Sequence, residues 1–202
     1  MLLYDIEESL ANKGFNFICG VDEAGRGPLA GDVYAAAVIL PQGLVIDGLN
    51  DSKKLSEKRR EELFQKITEN AVAYAIASAS AKEIDEINIL NAVMLAMNRA
   101  ISSLAVKADY ALIDGNIARG FDIPCQTVIK GDAKSPSIAA ASILAKVSRD
   151  RVCMQLDEKY PEYGFAKHKG YGTKAHMEVL RKYGPCPEHR KTFLKFLNNE
   201  SK

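Results

Sequence analysis

The chain has 202 residues, 47% of them hydrophobic and 26% charged, and a formal net charge of +1, so it is long enough and ordinary enough in composition for one domain (1–202) with a real core. No apolar run approaches the ~20 residues of a membrane helix, and the acidic start, Met-Leu-Leu-Tyr-Asp-Ile-Glu-Glu, lacks the basic region of a secretory signal. Cysteines at 19, 125, 153 and 186 form no C-x-x-C pair for zinc or redox chemistry, so a reduced, cytoplasmic protein is expected, and, since nothing in the sequence suggests an obligate oligomer, a monomer.

Residues 1–14 read as a short amphipathic lead-in. Residues 15–21 are mostly apolar and β-prone, a buried strand that runs into two adjacent carboxylates, Asp22 and Glu23. Two acids at the end of a buried strand are costly unless something offsets their charge, and a divalent cation would do so. Neighbouring residues on a regular strand point to opposite faces, so the two can share a site only if the strand bends or ends there. Gly25 and Gly27 supply that freedom and bare the backbone to a ligand, while Arg26 between them suits a phosphate or a polar sugar edge. The Gly25-x-Gly27-x-x-x-Gly31 spacing differs from that of a dinucleotide loop, Pro28 removes a donor, and the acids would repel a pyrophosphate.

A second strand, 32–40, is close enough to the first for an antiparallel hairpin and stops at Pro41-Gln-Gly43. After the loop Asp51-Ser-Lys-Lys-Leu55, Ser56 opens a helix to about Asn70. Residues 71–81 read as a third strand, 82–88 as one helical turn, and 89–106 as a longer helix with Leu90, Val93, Met97 and Ile101 on its core face. Residues 110–113 are a short buried strand ending at Asp114. In an α/β sheet the carboxyl ends of neighbouring parallel strands meet on one side, which would set Asp114 next to Asp22. Residues 125–129 form a fifth strand, followed by Lys130-Gly-Asp132. Ser135 reads as the N-cap and Pro136 as the first residue of a helix to about Tyr160, whose small first turns leave room for an anion at its N-terminus. Residues 161–171 read as a loop, and Thr173 as the N-cap of another helix. Tyr171, between two glycines, reads as an exposed stacking platform for a sugar or base. His168, His176 and His189 lack metal-ligand spacing and read as surface or core histidines. From Lys167 to Lys195 there are eight Lys or Arg against two acids, a basic face suited to a phosphate backbone.

Four acids, Asp22, Glu23, Asp114 and Asp132, thus fall at or just after the ends of three predicted strands. Carboxylates without His or Cys suit hard cations, Mg²⁺ or Mn²⁺ rather than zinc, and two such ions ~3.5–4 Å apart can flank a phosphodiester. The motifs Gly20-Val-Asp-Glu-Ala-Gly-Arg-Gly-Pro-Leu-Ala-Gly31, Asp51-Ser-Lys-Lys-Leu55, Leu112-Ile-Asp-Gly-Asn116, Lys130-Gly-Asp132 with Ser137-Ile-Ala-Ala-Ala-Ser-Ile143, and His168-Lys-Gly-Tyr-Gly-Thr-Lys-Ala-His176 together resemble bacterial ribonuclease HII, of the type 2 ribonuclease H family, over nearly the whole chain and in the same order. The resemblance implies an α/β, ribonuclease H-like fold: a five-stranded mixed sheet flanked by helices, with a helical C-terminal part. It implies an endonuclease that cuts the RNA strand of RNA–DNA hybrids and 5′ of ribonucleotides embedded in duplex DNA, leaving 5′-phosphate and 3′-hydroxyl ends. It makes Asp22, Glu23, Asp114 and Asp132 the catalytic acids, with Asp22, Glu23 and Asp114 as metal ligands and Asp132 shared with a second metal. It assigns Gly25, Arg26 and Gly27 to the ribose 2′-hydroxyl, Tyr171 to stacking beside the RNA–DNA junction, and Lys53 and the 135–142 region to phosphates. The end of the chain, Phe193-Leu-Lys-Phe-Leu-Asn-Asn199, lacks the pattern of sliding-clamp ligands, so no clamp partner is expected.

Overall fold

The computed structural model describes residues 4–49, 52 and 55–199. Five strands form one mixed sheet: β1 Ile18–Ala24, β2 Val33–Ile39, β3 Ala73–Ala79, β4 Tyr110–Asp114 and β5 Cys125–Val128, in the order β3-β2-β1-β4-β5. β1 to β3 are antiparallel neighbours, and β4 and β5 run parallel to β1. The hairpin expected around Gly31 is the β1–β2 pair.

The helices are α1 Asp5–Ala11, α2 Glu57–Asn70, α3 Ala81–Ser102, α4 Pro136–Lys159, α5 Phe165–His168, α6 Lys174–Tyr183 and α7 Lys195–Asn199. Their starts follow local chemistry. Ser56, Ser135 and Thr173 accept the amides of Arg59, Ile138 and His176, each such cap contributing about 1 kcal/mol. Ser80 and Glu83 form a reciprocal capping box for α3. The break expected at position 88 is present as a kink in α3, where Asn88 takes φ 66° and its side-chain oxygen accepts the amides of Leu90 and Asn91.

Strand alternation divides the core. Cys19, Val21, Val33, Ala35, Ala37 and Ile113 face Val93 and Met97 of α3, whereas Ala36 and Val38 face Ile143 and Leu144 of α4, with Leu63 and Ile67 of α2 closing that layer. The tightest approach is at Gly20. A Cβ there would lie 2.1 Å from the Ser137 carbonyl carbon and 2.2 Å from the Ile138 amide nitrogen, so only glycine lets the α4 N-terminus rest on β1. Asp22, two residues on, shares the α4 face.

Three expectations are corrected. The first strand begins at 18, not 15, because the Asp109 carboxylate takes the amides of Asn16 and Phe17 at 2.7 and 3.0 Å before the ladder starts. β1 neither bends nor stops at its acids: Asp22 and Glu23 lie inside it, paired with Ala36 and Ala35, and the turn comes at Gly25, φ 101°. The loop 161–171 contains α5, which buries Phe165 and is started by Asp157 accepting the Ala166 amide.

Candidate active site

The parallel strands β1 and β4 present their carboxyl ends on the same side of the sheet. The register pairs Val21 with Ile113, so the next residues, Asp22 and Asp114, are side by side on the α4 face. Asp22 is buried, and its Oδ1 accepts the Glu23 amide at 2.6 Å. Burial pushes its carboxyl well above the ordinary value, and the charges of Glu23 and then Asp114 push it further; the Glu23 amide and the Ser142 hydroxyl oppose them. Glu23 is raised as well, first by burial, with Arg26 pulling it down and Asp114 adding to the rise. Its carboxylate meets Arg26 at 3.4 Å. Asp114 Oδ1 accepts the Gly131 amide at 2.7 Å, which ties β4 to the single 3₁₀ turn Gly131–Ala133 that carries Asp132, half-buried, into the step between β5 and α4.

Asp22 and Glu23 share one cleft with Gly25, Arg26, Gly27, Ser52, Ser142, Lys146, Arg149 and Tyr171. The donor set fits a hard divalent cation: all carboxylate, partly buried, and mutually repelling. Among the described residues, the groups that favour ionised Asp22 are the Glu23 amide and the Ser142 hydroxyl. Among the described residues no three acidic, histidine or cysteine side chains already stand in ion-holding geometry. Glu23 is engaged with Arg26 and Asp114 with the Gly131 amide.

The opposite wall is the loop 25–31, held from behind. Gly25 is a left-handed residue at φ 101°, and a Cβ on it would lie 2.2 Å from Arg149 Nε, so the buried Arg149 guanidinium fills the space a side chain would need. Arg149 Nη2 donates to the carbonyls of Ala30 and Lys169 at 3.3 and 2.9 Å and so links the loop to the segment bearing Tyr171. Tyr171 is 47% exposed, and its ring edge stands 3.5 Å from where a Gly27 Cβ would be.

Behind the loop, residues 188–190 run along 29–31: Gly31 donates to the Glu188 carbonyl and Arg190 to the Leu29 carbonyl, both at 2.8 Å. Arg190 is fully buried, and its guanidinium donates to the carbonyls of Gly25, Arg26, Pro28 and Gly31 at 2.6, 3.0, 2.8 and 2.9 Å. Burial, with the nearby Arg149 charge, lowers it to about 10. Next to it the three histidines gather. The Tyr171 carbonyl can only accept, so His176 Nδ1 donates to it at 2.9 Å. His176 Nε2 then accepts from His189 Nε2 at 3.0 Å, and His189 Nδ1 accepts the Cys186 amide at 3.0 Å. Burial holds both neutral, His189 down to about 4 with the His176 charge adding to the shift.

Several sequence expectations are thereby relocated. Asp22, Glu23, Gly25, Arg26, Gly27 and Tyr171 come together, with Asp114 beside Asp22. Lys53 lies outside the described residues. Of the 135–142 region only Ser142 reaches the cleft, bonded to Ser52 at 2.7 Å. Ser135 and Ser137 are buried, and the anion at the α4 N-terminus is the protein's own Glu7, whose Oε1 accepts from Ser135 Oγ at 2.6 Å and the Ser137 amide at 3.4 Å. Arg190 belongs to no basic surface. Arg149 and Arg190 escaped the sequence reading. The one signal for Arg149 was its spacing from Ser142 and Ala145 on a buried helix face; Arg190 offered none.

Carboxylates converging at the ends of central parallel strands, across a cleft from a glycine-rich loop, in a mixed five-stranded sheet flanked by helices, define a nuclease of ribonuclease H-like fold. The Ribonuclease HII family profile matches residues 19–197, and the chain belongs to that family. It is 56% identical over 192 residues, 95% of this chain and 93% of the relative, to Ribonuclease HII of Caldicellulosiruptor bescii. It is 60% identical over 174 residues, 86% and 88% of the two chains, to Ribonuclease HII 1 of Methylibium petroleiphilum. Among solved structures it is similar to ribonuclease H2 from Pyrococcus horikoshii OT3, with a TM-score of 0.76 at 28% identity, covering 92% of this chain and 98% of that one.

Proposed function

We propose that this chain hydrolyses the RNA strand of RNA–DNA hybrids and cuts on the 5′ side of ribonucleotides embedded in duplex DNA, using two Mg²⁺ or Mn²⁺ ions and leaving 5′-phosphate and 3′-hydroxyl ends. The observation that carries the reading is the buried Asp22, pressed by Glu23 and Asp114, in a cleft shared with the Gly25–Gly27 loop and Tyr171. Family membership adds the substrate class. Asp22, Glu23 and Asp114 are read as the ion-holding residues, with Asp132 shared toward the second ion. Divalent ions held there would supply a nucleophilic water at neutral pH and would offset charge on the leaving oxygen.

The remaining roles rest on the chain's own groups. Arg26 is exposed and, among the described residues, its guanidinium contacts Glu23 at 3.4 Å, so it can turn to a sugar or phosphate oxygen. Tyr171 offers an open ring face to the sugar or base beside the junction. Lys53 is assigned a phosphate. Lys146, paired with Asp150 at 2.7 Å, adds positive potential at the cleft rim.

The test is a cleavage map on a duplex carrying one ribonucleotide. A single incision 5′ of that nucleotide, supported by Mg²⁺ or Mn²⁺ and abolished by EDTA, is expected, with the all-DNA duplex intact. Incision indifferent to EDTA, or spread along the DNA, would refute the reading.

A further inference from the structure

We propose that Arg190 is the positioning residue of the substrate-reading loop: its buried guanidinium draws the carbonyls of Gly25, Arg26, Pro28 and Gly31 inward and thereby turns the Arg26 and Gly27 amides outward as paired donors for the ribose. The inference rests on the reading that residues 25–27 recognise the ribonucleotide.

The geometry follows from the peptide unit. Every peptide bond described is trans, and in a planar trans peptide the N–H of one residue points opposite to the carbonyl of the residue before it. The Gly25 and Arg26 carbonyls both point at Arg190, so the next two amides, Arg26 and Gly27, both point away from it. The same rule is verified at Pro28: its carbonyl meets Arg190, and the following amide, Leu29, points outward and donates to the Gly170 carbonyl at 2.8 Å. Two successive amides turned the same way form a concave donor pair that favours an electron-rich oxygen. Gly25, Arg26 and Gly27 all line the cleft that holds Asp22 and Glu23.

A lysine cannot replace this guanidinium. Its ammonium is a point donor, whereas four carbonyls along seven residues of loop need a planar fork with donors on two edges. Arg190 is itself fixed by its backbone, through the Leu29 carbonyl, and by the adjacent His189, which forms an isolated β-bridge with Ala30. Arg190 reaches no cleft surface, so its effect on substrate is confined to the loop it holds.

The experiment compares binding, in EDTA, of a fluorescent duplex with one ribonucleotide and its all-DNA counterpart by wild-type protein, Arg190→Lys and Arg26→Ala, alongside KM and kcat in Mn²⁺. Arg190→Lys is expected to lose at least about fivefold in preference for the ribonucleotide duplex and to raise KM about tenfold, with all-DNA affinity and kcat within about threefold of wild type. A purely structural role would lower active fraction and hence kcat without moving the preference. Retained preference and KM in Arg190→Lys overturn the proposal; if Arg26→Ala loses preference at the same time, the loop reading stands without it. No preference in the wild type overturns the loop reading itself, and the proposal with it. Should Arg190→Lys not fold, Arg190→Gln carries the same expectation, and failure of both to fold would make Arg190 a folding residue and overturn its positioning role.

Discussion

The two walls of the cleft handle buried charge in opposite ways. On the carboxylate wall, Glu23 and Asp114 raise the charge cost of Asp22, and Asp114 that of Glu23, and among the described residues the groups favouring ionised Asp22 are an amide and a hydroxyl. On the loop wall, Arg190 is fully buried, yet four carbonyls satisfy it. A buried charge that folding satisfies fixes backbone; one that folding leaves in tension is a place for a ligand. The first wall is therefore expected to respond to cations and pH near its acids, and the second to set which substrate fits.

Replacing a member of the tense wall should have the largest effect. Asp22→Asn or Asp114→Asn is expected to cut cleavage on the order of a thousandfold or more, the scale lost when a charged group is removed from a reacting centre. Asp22→Asn should at the same time raise the Tm of the ion-free protein by a few degrees. The folded carboxyl holds its proton to higher pH than the unfolded one, so ionising Asp22 costs stability as pH rises above about 4, and the amide removes that cost. Cleavage near wild type in either variant, or a lowered Tm for Asp22→Asn at neutral pH, would break the contrast.

Gly20→Ala comes next. A methyl group inside 2.2 Å of two α4 backbone atoms must push the helix off β1, and a loss of about 3 kcal/mol or more in urea unfolding is expected. A loss under about 1 kcal/mol would show that α4 can shift freely, and the placement of Asp22 against it would lose its basis.

The satisfied wall has its own pH response, of comparable or smaller size. Folded His189 titrates near 4, below the unfolded value of about 6.5, so the unfolded chain takes up the proton first and stability falls as pH drops from about 6.5 toward 4. The loss is up to about 3 kcal/mol. Protonation also puts a hydrogen on His189 Nδ1, facing the Cys186 N–H across their 3.0 Å contact. In His189→Gln the difference in urea midpoint between pH 7 and pH 4.5 should shrink by about half; an unchanged difference would assign the acid response to other groups. The smallest effect belongs to Arg26→Ala. Losing one exposed guanidinium should weaken discrimination between ribonucleotide-containing and all-DNA duplexes by about tenfold, about 1.4 kcal/mol, and unchanged discrimination would remove its side chain from recognition.

Much of the sheet and most helix starts could be read from local chemistry. Ser56, Ser135 and Thr173 announce their helices, Gly31 the hairpin, and Asn88 a break in α3. Acids inside a strand run against β-propensity, so β1 looked three residues shorter at its carboxyl end than it is. Only pairing with Ala36 and Ala35 keeps Asp22 and Glu23 in the ladder. The carboxylates were visible because charge after an apolar run is conspicuous. Arg149 and Arg190 were not, because a buried arginine spells the same as a solvated one. Their acceptors are backbone carbonyls that carry no side-chain signature, more than a hundred residues away for Arg190. Glu7 at the α4 N-terminus and the histidine group were hidden for the same reason: what joins them is tertiary.

The most direct test of the account is Mn²⁺ binding to the substrate-free protein at pH 7, followed by electron paramagnetic resonance of the free ion. Wild-type protein should bind Mn²⁺, and Asp22→Asn should weaken that binding by at least about tenfold while remaining folded. Equal Mn²⁺ affinity in the two proteins would contradict the claim that the crowded carboxylates are a cation site.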